Sequence, residues 1–274
     1  MSPFTFDSFD DRQIEAFKRA FATAEPFPHI VLDNVIADDP AALDATFPPP
    51  EWTGWKRFRD DYQVGKMFCQ DLAVIPEPWS SMLRELNEPK FLGFLESISG
   101  VDKLIPDPYL EGGGLHASGP AGILAPHTDF HIYVRLDVYR QLNVLIYLND
   151  GWTEDDGGCL ELYAPDEDEP RVTVVPTFGR CVIFRTDDRS IHGFSKPVQT
   201  TDRLRRSLAL YYYTSTESEG YSGDTTTYWR QHGELGGAKR VRLATYRGLL
   251  FGARALASLA HRTNPNLGSR RRPT

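Results

Sequence analysis

Cysteine is scarce in this chain. Cys69, Cys159 and Cys181 are the three in 274 residues, and no two of them stand at a paired spacing. A small odd count argues against a disulfide framework and fits reduced thiols in a cytosolic protein. No apolar run approaches the roughly 20 residues a membrane-crossing helix requires. The opening stretch MSPFTFDSFDD has no basic segment followed by an apolar one, so no signal peptide is expected. Basic charge is short as well: the net charge is −8 and no basic stripe crosses the middle of the chain, which argues against a general nucleic-acid partner. There is no internal repeat, and no Ser-His-Asp or Cys-His set that would mark nucleophilic catalysis. What remains is an ordinary globular composition, 41% hydrophobic and 25% charged, long enough to bury a large core. The expected location is cytoplasmic, with no membrane partner and no stated oligomeric state.

The first hundred residues read as support. DRQIEAFKRAFAT places Ile14, Phe17, Ala20 and Phe21 at helical spacing, with Asp10 or Asp11 as N-cap. PFPHIVLDNVI reads as a buried strand with a structural His29 at its mouth, and Asp39–Phe47 as a short helix ended by three prolines. In EWTGWKRFRDDYQVGKMF, the basic Lys56, Arg57 and Arg59 could face an anion. A solvated hairpin or loop with Trp52 and Trp55 packed inward is the plainer reading. Residues 77–99 read as helix split by Pro89, with Phe91, Leu92, Leu95 and Ile98 on one face and Gly100 as the stop. From about 110, short β-like runs alternate with turn signals: GGGLHAS, GILAPHTDF, QLNVLIYLN, GCLELY, RVTVV, RCVIF, SIHGF and RSLALYYYT. Such a series suits a double-sheet jelly roll. Beyond 215 the chain is polar, then Leu243–Leu259 reads as helix, and Arg270–Arg272 as part of a solvated tail.

A strand sends every second side chain to one face, so His127 and Asp129 share a face and Thr128 points away. With a distant His192 they form two imidazoles and a carboxylate, a set that fills three corners of an octahedron and leaves three open. The same letters would also describe a surface aspartate beside its neighbouring histidine. In RRSLALYYYT, Arg205, Ser207, Ala209 and Tyr211 share a face. An inward arginine with a hydroxyl two residues on is a carboxylate clamp, and unpaired it would be costly to bury. Alternation does not choose the facing, so Arg206 is the fallback. Gln141, Asn143, Leu145 and Tyr147 share a face on another strand, where Asn143 and Tyr147 could touch a ligand.

Taken in order, HTD, LIYLNDGW, DDGGCLELY, RCVIF, IHGFSKPV and RRSLALYYYT resemble the 2-oxoglutarate/Fe(II)-dependent dioxygenases, in their prolyl 4-hydroxylase-like branch, across about 110–215. The resemblance implies a mainly β fold, a double-stranded β-helix or jelly roll with flanking helices. It implies that His127, Asp129 and His192 hold Fe(II), and that Arg205 takes the far carboxylate of 2-oxoglutarate with Tyr147 beside it; the shared face adds Ser207 to that clamp. His116 falls near another position that lines such sites. The spacing from His192 to Arg205 is longer than usual in this branch. The implied organisation is one dioxygenase domain over 1–274: support over 1–109, jelly-roll core over 110–215, and an extension over 216–274. The implied reaction, with 2-oxoglutarate and O2 as co-substrates, is hydroxylation of a polar small molecule or a peptidyl, prolyl included, substrate. Two other classes stay open: a cupin-like barrel with another metal or none, and a zinc-assisted hydrolase. His131, Tyr133 and Arg135, directly after Asp129, are expected substrate contacts. The run Glu154–Asp156 reads as a solvated turn or as an acidic border that disfavours nucleic acid.

Overall fold

Asp10 caps the first helix, α1 (Asp11–Thr23), in a reciprocal box: its carboxylate accepts from Gln13 N at 2.8 Å and Gln13 Oε1 accepts from Asp10 N at 3.0 Å. Strand β1 (His29–Leu32) follows, then α2 (Pro40–Asp44), shorter than its sequence suggests and stopped well before the prolines. The aromatic-basic segment is a hairpin of β2 (Lys56–Phe58) and β3 (Gln63–Cys69), with Trp55 buried and Trp52 packed edge-on against it. Two helices come next, α3 (Trp79–Glu85) and α4 (Pro89–Ser99). Pro89 starts the second, and Gly100 closes it at φ 69°, a left-handed conformation that glycine adopts at least cost.

The remaining strands are β4 (Ile105–Pro106), β5 (Gly114–Thr128), β6 (Ile132–Tyr133), β7 (Val138–Tyr147), β8 (Leu160–Tyr163), β9 (Val172–Val174), β10 (Cys181–Arg185), β11 (Ile191–Phe194), β12 (Arg205–Thr214) and β13 (Tyr228–Trp229). The computed structural model describes residues 2–216 and 227–229, and 241–242, 245–246, 248–249, 252–253, 255–256, 259 and 263. All strands join one curled sheet, ordered β1-β10-β7-β12-β5-β11-β8-β9, with every ladder between them antiparallel. This is the double-stranded β-helix expected, with one correction. GGGLHAS and GILAPHTDF are a single 15-residue strand, β5, not two. Its middle bulges: β3 pairs Val64 with Ile123 but Lys66 with Ser118, so residues 119–122 stand outside the ladder.

Alternation along β7 and β12 gives the sheet two characters. Leu142, Val144, Ile146, Leu208, Leu210 and Tyr212 face outward into the main core, where Phe21, Trp79, Leu83 and Leu95 cover them. Tyr212 also donates its hydroxyl to Leu86 O at 2.6 Å, tying β12 to the end of α3. The opposite faces of the same strands carry the polar residues and close around a cavity. Helices on one side leave that inner surface free for chemistry.

Chain contacts divide the protein into two units, Met1–Arg230 and Gln231–Thr274. In the second, the described residues are helical, including those between 245 and 259. Leu243 and Arg270–Arg272 lie outside the described residues. No helix among the described residues is long and apolar enough to cross a membrane.

Candidate functional site

β5 ends at Thr128, so His127 lies in the last rungs of the ladder and Asp129 follows just beyond the strand. His192 on β11 pairs directly with His127. Their ligand atoms and one of Asp129 all lie within 4.8 Å of one another. Nε2 of His127 is 3.6 Å from Asp129 Oδ1, and Nε2 of His192 is 3.7 Å from Oδ2. Each imidazole is held from behind. Nδ1 of His127 lies 2.9 Å from Ala125 O, and Nδ1 of His192 lies 3.0 Å from Ser190 O. A carbonyl only accepts, so each Nδ1 carries the proton and each Nε2 turns a lone pair toward the shared point. Burial, with His127 adding to it, pushes His192 down to about 4, which keeps that ring neutral at physiological pH. Burial alone would raise the Asp129 carboxyl, but Arg140 and the two imidazoles outweigh it and hold the group well below the usual carboxylate range. Two imidazole nitrogens and one carboxylate form a facial donor set suited to a divalent iron.

Asp129 is fixed from outside by β7. Asn143 Nδ2 donates to Oδ2 at 2.6 Å, and Nη1 of Arg140 sits 3.1 Å from the same oxygen. Asn143 therefore lines the cavity but spends its amide on the aspartate. Arg140 is buried between the rings of Phe130 and Tyr211, 3.8 and 3.7 Å from their centroids. Sequence reasoning missed Arg140. Tyr212 pairs with Leu142 but Tyr213 with Arg140, so Gln141 is an extra residue in the ladder. That bulge brings Arg140 to the cavity face with Asn143 and sends Gln141 to Thr214 instead, at 2.8 Å.

The other end of the cavity belongs to Arg205. It is 7% exposed and lines the same cavity as the triad, with Ser207, Ala209 and Tyr211 from its own face. Its Nε donates to Gly158 O, its Nη2 lies 3.5 Å from the Tyr147 hydroxyl, and its guanidinium is 4.2 Å from the Phe194 ring centroid. Among the described residues no carboxylate pairs with it. Burial raises the Tyr147 phenol, so it stays a donor. Gly158 has φ +63°, and a Cβ there would stand 2.8 Å from Arg205 Cδ, so glycine makes the room the side chain uses. Arg206 faces the other way and pairs with Asp44 over the Phe47 ring, which settles the facing in favour of Arg205. His116, level with Ser207, also lines the cavity, and its Nε2 is buried with no hydrogen-bond partner.

Three expected contacts are not in the cavity. His131 is buried with Nδ1 3.2 Å from Asp188, Tyr133 packs on Tyr213, and Arg135 stacks 3.4 Å over the Tyr109 ring. They shape the loop after Asp129. Glu154–Asp156 is likewise a capped turn, with Asp156 accepting from Thr153 N at 2.8 Å and Arg203 at 2.7 Å. Residues the sequence did not single out take their place. Lys66 and Gln63 enter from β3, and Trp229 from β13, 4.7 Å from the His127 ring and stacked on Tyr62 at 5.2 Å. The lone aromatic pair Tyr228-Trp229 in a polar stretch was the available signal.

Residues 113–213 match the family model of the 2OG-Fe(II) oxygenase superfamily. The chain is 24% identical over 193 residues to prolyl 3-hydroxylase OGFOD1 of Mus musculus, covering 69% of this chain and 33% of that protein. It is 28% identical over 144 residues to prolyl 3,4-dihydroxylase OGFOD1 of Ostreococcus tauri, covering 48% and 26%. The matched stretches thus span a third or less of those relatives. Among solved structures, a Pseudomonas putida prolyl-4-hydroxylase shares the fold at TM-score 0.52 and 20% identity, over 73% of this chain and 98% of that one.

Proposed function

We propose that the chain, whose residues 113–213 match the 2OG-Fe(II) oxygenase superfamily model, is an Fe(II)- and 2-oxoglutarate-dependent dioxygenase. It hydroxylates an unactivated C–H bond of a polar small molecule or a peptide segment, prolyl residues included. The jelly-roll core does this within one catalytic domain, supported by residues 1–109 and extended by 216–274. A cytoplasmic location is supported by the three cysteines, all buried and unpaired.

His127, Asp129 and His192 hold the metal on one face. With the iron bound, the chemistry supplied is decarboxylation of 2-oxoglutarate by O2 to succinate and CO2, with the second oxygen atom entering the substrate C–H bond. The protein's own part is placement. Asn143 and Arg140 pin the aspartate so that its lone pairs stay on the site. Arg205 offers a planar fork to the far carboxylate, and Ser207 and Tyr147 add hydroxyls beside it. The aromatic wall of Phe194, Tyr211 and Trp229 keeps water from the reacting centre.

The observation that carries this reading is a buried arginine, in the same cavity as the triad, that no carboxylate among the described residues pairs with. A zinc hydrolase or a non-catalytic cupin barrel on the same triad needs no second anchored acid. The test is a succinate assay across amino acids, peptides, sugars and natural-product intermediates, with product mass showing the gain of one oxygen. Failure to bind 2-oxoglutarate in a titration of the metal-loaded protein would favour the barrel or the hydrolase.

A further inference from the structure

We propose that Lys66 seats an anionic group of the primary substrate, so that this site takes molecules with a carboxylate or similar compact oxyanion near the reacting carbon. The inference rests on the dioxygenase reading and narrows its substrate class.

The sheet register places the residue. Lys66 on β3 pairs with Ser118 on β5, and Ser118 pairs across its other edge with Arg205 on β12. Level positions on neighbouring strands share a face, and all three residues line the cavity. Two strand spacings separate the backbones of Lys66 and Arg205, about 10 Å. The two cations therefore flank β5, one on the co-substrate side and one on the far side.

Charge then singles out Lys66. Among the described residues the cavity is lined by three basic side chains, Lys66, Arg140 and Arg205, and by one carboxylate, Asp129. Arg140 is matched with Asp129. Arg205 is matched by the far carboxylate of 2-oxoglutarate. In total charge a divalent metal and a dianionic co-substrate cancel, so these three basic side chains and one carboxylate leave the loaded cavity net positive. The Lys66 ammonium is left with a neutral partner, donating to Gln63 Oε1 at 3.1 Å, and no ion pair among the described residues includes it. Burial pulls its pKa down from the ordinary value, and the charges of Asp129 and Asp60 oppose this only in part. A desolvated cation without a counter-ion is costly, and an anion delivered by the substrate would relieve that cost. The buried Nε2 of His116, on the same cavity wall, has no hydrogen-bond partner among the described residues.

The test uses the full chain, loaded anaerobically with Mn(II) and 2-oxoglutarate. Loading is read first, by calorimetry, and a protein that takes up neither overturns the dioxygenase reading and this inference with it. Trifluoroacetate is then titrated, with trifluoroacetamide as its neutral match, and 19F relaxation by the Mn(II) reports entry into the cavity. The expected result is saturable relaxation of the acid only, with its Kd raised about tenfold or more in Lys66→Gln and restored toward wild type in Lys66→Arg. The Kd of 2-oxoglutarate should move by far less than that of the probe. The proposal fails if the acid does not enter, if acid and amide enter alike, or if Lys66→Gln leaves the acid unmoved. It also fails if that variant weakens 2-oxoglutarate as much as the probe, because Lys66 would then serve the co-substrate.

Discussion

The two ends of the cavity are built in opposite ways. At the metal end, His127 and Asp129 are two residues apart, His192 faces His127 across one ladder, and each imidazole is set by a carbonyl two residues back on its own chain. At the arginine end, Arg205 leans on Gly158 from a loop, Tyr147 from β7 and Phe194 from β11, none of them its neighbour in sequence. The imidazoles at the first end are set by their own local backbone, and the arginine at the second is held by distant packing. Damage at the metal end should therefore be all-or-none, and damage at the arginine end graded.

The largest expected effect tests the metal end. His127→Ala, Asp129→Ala and His192→Ala should each abolish turnover and stoichiometric metal binding, with circular dichroism unchanged. An Asp129→Ala variant that keeps wild-type turnover would erase the contrast. Next comes Arg205→Ala, which should raise the 2-oxoglutarate requirement far more than the iron requirement. Each charge-assisted hydrogen bond lost there is worth roughly 1.5–3 kcal/mol. Arg206→Ala, in which only the outer pair with Asp44 is broken, should leave that requirement unchanged.

Gly158→Ala sharpens the graded side. The new methyl would crowd Arg205 Cδ from a left-handed backbone position, so the 2-oxoglutarate KM should rise by about tenfold while metal affinity holds. Equal losses in both would mean that the two ends are coupled. The smallest effect concerns acid. Burial, with the Lys66 ammonium adding to it, pushes His116 down to about 3 from an ordinary 6.5. The unfolded chain then binds the extra proton first, so this contribution to stability is full above about 6.5 and is lost as pH falls toward about 3. His116→Phe should flatten the acid limb of Tm against pH, and an unchanged limb would show that the ring does not govern it.

Much of the local structure was legible. The cap at Asp10, the break at Pro89, the stop at Gly100 and the shared face of Arg205, Ser207, Ala209 and Tyr211 all follow from short-range rules. The family likeness named the triad, and the geometry brings those three residues together. His131, Tyr133 and Arg135, expected as substrate contacts, pack outside the cavity, because polarity next to a metal strand does not say which way a loop folds.

By itself, the sequence determined the period of each strand, the caps of its helices and the residue types at both ends of the cavity, since these depend on neighbours within a few positions. Only the tertiary structure decided which residues those periods bring inward. The extra Gln141 opposite β12 turned Arg140 toward Asp129, and the bulge at 119–122 set Lys66 level with Arg205. A bulge is a mismatch between two strands, so its effect on facing is written in neither strand alone.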